Sequence, residues 1–271
     1  MVLTPKSATL LSLAIPGAAH FALGRPGRGA LALVSTLALF LLGWSVLGER
    51  LWFFAFFTPF DWLAPVFKVV PVNLLPEGLN VLGAAIASFA RAPTSFAVER
   101  LARMTVAGEH WAAWLTGASG ELSVLWAADA HWLARGRRGA RTPPAFAALV
   151  SWLVPGAGHA LAGQKGKGVL MGAAVVAVFV LGLAISQGHA VDRAYFGAWW
   201  AGASLFGTGT LFASLVTAPM SLPDQIPDLL DFGVALCTCA GLMNAMVMSD
   251  AYTVAERTAA PPAPSTPEVA A

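Results

Sequence analysis

Residues 14–29 read AIPGAAHFALGRPGRG and residues 153–168 read LVPGAGHALAGQKGKG, and laying one on the other decides the architecture. At one constant offset, Pro16, Gly17, Ala18, His20, Gly24, Gly27 and Gly29 fall on Pro155, Gly156, Ala157, His159, Gly163, Gly166 and Gly168, while Arg28 falls on Lys167. Downstream, Phe40, Leu42 and Gly43 fall on Phe179, Leu181 and Gly182. Matches this dense, continuing into the next segment, signal an internal duplication. A second landmark closes each half, where WAADAHWLA around Asp129 resembles VMSDAYTVA around Asp250. The first half is longer between its landmarks, which assigns it an insertion at residues 51–110.

Composition says where such a repeat resides. Of 271 residues, 57% are hydrophobic and only 11% charged, and the mean hydropathy is +0.70. A soluble domain carries roughly 25% charged residues, because its surface must face water. This chain has too few to coat a globule, which excludes a soluble enzyme and a disordered chain. A net charge of +2 from 16 Lys+Arg and 14 Asp+Glu provides no basic field for nucleic acid. Cys237 and Cys239 stand one residue apart in an apolar run, too close for an ordinary disulfide, and read as small packing residues.

A membrane-crossing helix needs about 20 apolar residues. Segments 30–47, 169–186, 195–217 and 229–248 meet that requirement, and 111–133 does so despite Glu121 and Asp129, whose carboxylates must then face protein. Segments 8–23 and 145–162 are broken by Pro16-Gly17 and Pro155-Gly156, so they either cross with a kink or dip and return. Segment 51–67 is rich in Trp and Phe but interrupted by Pro59, Asp61 and Pro65, and suits an aromatic belt as well as a span; 79–90 is short enough to be re-entrant. The fold expected is all-α: a polytopic integral membrane protein of two tandem, parallel helical repeats with about 6 to 8 membrane segments. Residues 1–134 form the first repeat, 135–144 a basic linker with Arg135, Arg137, Arg138 and Arg141, 145–258 the second repeat, and 259–271 a Pro- and Ala-rich disordered tail. The positive-inside rule puts the linker in the cytoplasm of a bacterial inner membrane. Four segments per half is the preferred count. It places the basic turns at 25–28 and 165–167 outside, against their charge, together with the acidic Asp224, Asp228 and Asp231.

Pro155-Gly156-Ala157-Gly158-His159 with Gly163 and Gly168, a span, and a later Asp250-Ala251-Tyr252 resemble a group of uncharacterised bacterial membrane proteins. The pattern is similar, more distantly, to the two-transmembrane-helix hairpin domain. The likeness covers the hairpin and the Asp-Ala end of both halves, about half of the chain, and the first half departs from it in having Ala19 where glycine is expected. It implies a membrane hairpin module and carries no reaction with it.

The residues that could carry chemistry are His20, His159, Asp129, Asp250 and Glu121. An ionisable side chain within a membrane segment is a functional hypothesis by default. Each recurring His and Asp has a second, structural reading, in which a His-Asp contact within each half locks the hairpin to the last helix. Asp250 also stands on one helical face with Arg257, and Glu121 has Arg100, Arg103 or His110 as partners before its span. The glycines Gly17, Gly24, Gly29, Gly156, Gly163 and Gly168 serve turns and close helix approach, since GRPGRG and GQKGKG lack the Gly-Lys-Ser/Thr of a phosphate loop. Asn244 can bond across helices. Gly117-Ala118-Ser119-Gly120 resembles the rhomboid nucleophile motif, with His159 as its base.

No cofactor, metal or catalytic residue is assigned. The partners expected are the lipid bilayer and other envelope proteins, without nucleic acid. The leading function is a non-enzymatic scaffold or assembly factor of the envelope. A carrier of small solutes or ions is the alternative, and an intramembrane serine protease the remote one. Convergence of the five polar residues on one cavity favours the carrier; separate hairpins favour the scaffold.

Overall fold

The computed structural model describes residues 3–47, 107–136, 139–192, 202–217 and 227–258, with a few positions between 196 and 200. The expected insertion up to residue 106, the segments 51–67 and 79–90, Arg100, Arg103, Arg137, Arg138, Asp224 and the tail all lie outside the described residues. Among those described, the regular structure is helical throughout.

The chain opens with α1 (Pro5–Ala14), capped by Thr4, whose Oγ1 accepts from the Ser7 amide at 3.2 Å. It breaks at Pro16-Gly17, returns through the short α2 (Ala18–Ala22), and turns into α3 (Pro26–Leu47). The long α4 (Glu109–Ala134) closes the first half. The second half repeats the order with α5 (Pro144–Leu153), α6 (Ala157–Leu161) and α7 (Lys165–Ile185). After a middle segment come α8 (Thr208–Thr217) and the closing α9 (Leu230–Arg257).

The two halves fold alike because the same small residues seat the same helices. Gly43 of α3 faces the Ala112 carbonyl and Thr116 of α4, and Gly182 of α7 faces the Gly233 carbonyl and Cys237 of α9. These are corresponding positions under the offsets of the two landmarks. A side chain at either glycine would hold the helices apart.

Each Pro-Gly segment, for which a kinked crossing and a return were both expected, breaks at its glycine and folds back against the long helix that follows. α1 and α5 have 10 residues each, about 15 Å of helix against the roughly 30 Å of a hydrocarbon core. Gly17 and Gly156 take φ of +84° and +81°, a left-handed conformation that only glycine adopts cheaply. A Cβ on Gly17 would overlap the Gly29 carbonyl, and one on Gly156 the Gly168 carbonyl, so each hairpin tip lies against the next long helix. The basic turns therefore sit at the same end of the molecule as the Asp-Ala ends of α4 and α9, not at the opposite end.

The segment 195–217, expected as a single span, is also broken. A 3-10 turn at Ser204–Phe206 ends at Gly207, φ +66°, before α8 begins. The chain folds back there. Thr210 Oγ1 donates to the Ala203 carbonyl, Trp200 Nε1 to Ser214 Oγ at 3.0 Å, and Ser214 Oγ to the Val191 carbonyl at 3.2 Å. The tips of this hairpin and of α5–α6 meet, with Thr208 Oγ1 donating to the Leu153 carbonyl and Gly207 packed on the Trp152 carbonyl. Asn244 of α9 fastens both tips, Nδ2 donating to the Leu205 carbonyl at 2.9 Å and, more loosely, to the Trp152 carbonyl at 3.5 Å.

Among the described residues, three helices are long and apolar enough to cross a membrane: Pro26–Leu47, Lys165–Ile185 and Leu230–Arg257. α4, at 26 residues, has the length, but its acids and histidines keep it out of that set. The halves run parallel, because the C-terminal ends of α4 and α9 lie together. Arg135 pairs with Glu256, and Tyr252 Oη donates to the Ala128 carbonyl at 3.2 Å. α5 is wedged between them, with Trp152 stacked on Trp114 of α4 at a centroid distance of 5.4 Å.

Candidate functional site

The His and Asp landmarks meet within each half. The turn at Gly17 carries His20, fully buried, to the last turns of α4, where its Nε2 lies 3.1 Å from Asp129 Oδ2. The turn at Gly156 does the same for His159, whose Nε2 lies 2.6 Å from Asp250 Oδ2. A third residue completes each cluster. Arg28 Nη1 donates to Asp129 Oδ2 at 3.0 Å and to Oδ1 at 3.3 Å, and Lys167 pairs with Asp250. The base comes from the first turn of the long helix that follows the hairpin, so three successive elements converge on one carboxylate.

Charge and hydrogen bonding explain this composition. A buried carboxylate needs a counter-charge and donors, and Arg28 or Lys167 supplies the charge while the imidazole supplies a donor. With the proton on Nε2 the ring donates to Asp and leaves Nδ1 a bare acceptor. The Nδ1 atoms of His20 and His159 are both buried and without a hydrogen-bond partner among the described residues, and a bare lone pair costs less there than a stranded N–H. Trp126 closes the first cluster edge-on, its ring 5.6 Å from that of His20. The clusters differ in access. The Asp129 side chain is 7% exposed and that of Asp250 36%.

The repeat turns have the roles expected of their glycines. Gly24 and Gly163 take φ of +71° and +94° in the basic turns, and Gly29 and Gly168 let the hairpin lie against the long helix. Arg141 of the linker lies over Gly163.

The other candidates are not drawn into these clusters. Glu121 lines a cavity of about 380 Å³ between the halves, with Val124, Leu125, Ala148, Met248 and Tyr252 among its walls. It makes no hydrogen bond or ion pair with the described residues. Arg257, expected beside Asp250, is replaced there by Lys167, because the basic turn reaches the carboxylate from the hairpin side. Ser119 and His159 are not paired. Ser119 Oγ donates to the Thr36 carbonyl at 2.8 Å, and His159 is committed to Asp250. No group of three or more His, Cys, Asp or Glu suited to a metal occurs among the described residues.

Sequence reasoning aligned Arg28 with Lys167 but did not join them to the aspartates. The matching residues also begin earlier than residues 14 and 153. The same offset carried upstream pairs Pro5 with Pro144, Ala8 with Ala147 and Ser12 with Ser151, and all but Pro5 are buried. Ser151 Oγ accepts from the Gly158 amide at 3.0 Å. In the first half, Ala19 replaces that glycine and Ser12 Oγ has no partner among the described residues.

Fold and site thus define a class: a protein whose described residues are helical, with three helices among them long and apolar enough to cross a membrane and a hairpin locked to a closing helix twice over. The chain belongs to a family of unknown function (DUF6677), whose model matches residues 7–141 and again 146–261. The second match is consistent with the duplication and falls where the linker divides the halves. No curated protein and no solved structure matches the chain.

Proposed function

We propose that this is a multi-pass protein of a bacterial inner membrane that serves as a non-enzymatic scaffold or assembly factor of the cell envelope. α3, α4, α7 and α9 cross, and the Pro-Gly hairpins and the hairpin at Gly207 enter and return. That count is even in each half and leaves the linker and both basic turns on the cytoplasmic side, as their charge requires. It removes the conflict between crossing number and charge, which arose from reading 195–217 as a span.

The observation that carries the scaffold reading is the separation of the two clusters. Each His–Asp–base set is closed on its own hairpin, with the carboxylate shared between an imidazole and a cation. Neither shares a cavity with Glu121. Side chains so committed hold helices together and leave no titrating path between the halves. The carrier reading draws on a different observation, the meeting of two hairpin tips beside Asn244, because broken segments meeting at mid-membrane are where carriers build sites.

One experiment separates them. The double variant His20→Ala, His159→Ala is compared with wild type at matched expression for complexes recovered from membranes and for growth against a deletion strain. The scaffold predicts that complexes and function are lost together, in proportion to folded protein. Intact complexes with lost function would overturn it in favour of a histidine-dependent path.

A further inference from the structure

The duplication makes one interface inside the chain that has an unused counterpart on its outside. Within the chain, α5 packs on its own closing helix α9 through Ala147, and on the neighbouring half's α4 through Ala148 and Trp152. On α4 the receiving stripe is Trp114, Ala118 and Leu125, with Leu122 beside it. The offset of the Asp landmarks carries Ala118, Glu121 and Leu125 onto Cys239, Leu242 and Met246 of α9. There the stripe is open along one edge: Cys239 is exposed, and Leu242 and Met246 are 52% and 72% exposed, while Met243, which stands for Leu122, packs on the chain's own core.

The donor side is open as well. α1 packs on its own closing helix α4 through Ala8, as α5 packs on α9 through Ala147. The offset of the hairpins carries Leu149 and Leu153 of α5, which pack in the joint, onto Leu10 and Ala14 of α1. Leu10 is 67% exposed and Ala14 is exposed. One half therefore presents a used receiver and an unused donor, and the other a used donor and an unused receiver. This is the geometry of a heterologous contact, which continues from copy to copy.

We propose that a second copy of this chain docks its α1 on the Cys239–Leu242–Met246 stripe of α9, repeating between chains the joint that α5 makes on α4 within one. The parallel halves keep both copies in one membrane orientation. The joint between chains is leaner. Leu13 stands for Trp152 and Ala235 for Trp114, so the stacked rings are absent; Leu242 stands for Glu121, and Thr9 stands for Ala148 with its hydroxyl held by the Pro5 carbonyl and His131. A reversible assembly is the expected result. The inference is independent of whether the protein is a scaffold or a carrier.

The test uses the full chain in its own membranes, with a tagged wild-type copy co-expressed with an untagged Leu10→Cys, Cys239→Ala copy. A short bismaleimide should link the thiol introduced on α1 of the untagged copy to Cys239 of the tagged one, giving a band at the summed mass of the two copies. That band should vanish when the tagged copy also carries Cys239→Ala. Leu170→Cys, on an exposed face of α7 away from the joint, serves as the encounter control. Native mass measurement of the wild-type protein in lipid discs reports assembly without any substitution. A cross-link specific to the pairing of Leu10→Cys with Cys239, with a multimer in discs, supports the proposal. Equal linkage from Leu170→Cys, or no linkage with a monomer in discs, overturns it and gives the stripe to lipid or to residues 51–106 of the same chain.

Discussion

Asp129 and Asp250 hold the same place in two repeats and should not be worth the same. Both meet a fully buried imidazole, but Asp129 is nearly buried and takes two bonds from Arg28 Nη1, whereas Asp250 is about one-third exposed and meets a lysine. Removing one partner of a buried pair leaves the others uncompensated, which costs about 3–5 kcal/mol, while an exposed pair is worth about 1 kcal/mol or less. Asp129→Ala is therefore expected to lower the midpoint of thermal unfolding in detergent several times further than Asp250→Ala. Equal shifts would mean that both clusters are solvated alike. At this scale the sequence revealed which His and Asp recur, because duplication preserves identity at fixed spacing. It did not reveal that Arg28 and Lys167 are the third partners. That depends on the rotation of α3 and α7 after the turn, which brings the basic residue and not Arg257 onto the carboxylate.

A hairpin that reverses within a few residues must put its backbone somewhere. The tip glycines solve this by conformation and by lacking a side chain, and the two contributions can be separated. Gly24 has a φ of +71° and open space around its missing Cβ, while Gly17 has a φ of +84° and the Gly29 carbonyl in the way. Gly24→Ala should cost the strain alone, about 1–3 kcal/mol. Gly17→Ala should cost more, and its folded yield in membranes should fall below that of Gly24→Ala. The carbonyls freed at the other tips are satisfied by side chains. Asn244→Ala strips the donor from the Leu205 carbonyl, for an expected loss of about 1–3 kcal/mol in the same melts. The Pro-Gly breaks were legible because proline and glycine interrupt an apolar run visibly. The break at Gly207 was not, since residues 195–217 carry enough apolar residues to cross, and only the return of Thr210 and Ser214 onto Ala203 and Val191 reveals the fold-back. Composition measures what a segment can cross, while pairing decides whether it does.

Across the whole molecule, orientation follows from which ends lie together. Arg28 reaches Asp129 near the end of α4, Lys167 reaches Asp250 near the end of α9, and Arg135 joins the two ends through Glu256. In the proposed arrangement the linker and both basic turns share one side of the membrane, and Asp228 and Asp231, at the start of α9, face the other. The charges agree, basic on one side and acidic on the opposite. In a background lacking Cys237 and Cys239, the single substitutions Gly27→Cys and Gly166→Cys, both at positions surrounded by open space, should react with an impermeant maleimide only in inside-out vesicles. Asp228→Cys, at an exposed position, should react only in right-side-out spheroplasts. Reaction of Gly27→Cys and Gly166→Cys from opposite sides would break the parallel arrangement. A basic turn labelled from outside would instead mean that its hairpin crosses, and the ion pair to its aspartate could not then form, because about 30 Å of hydrocarbon would separate the two groups.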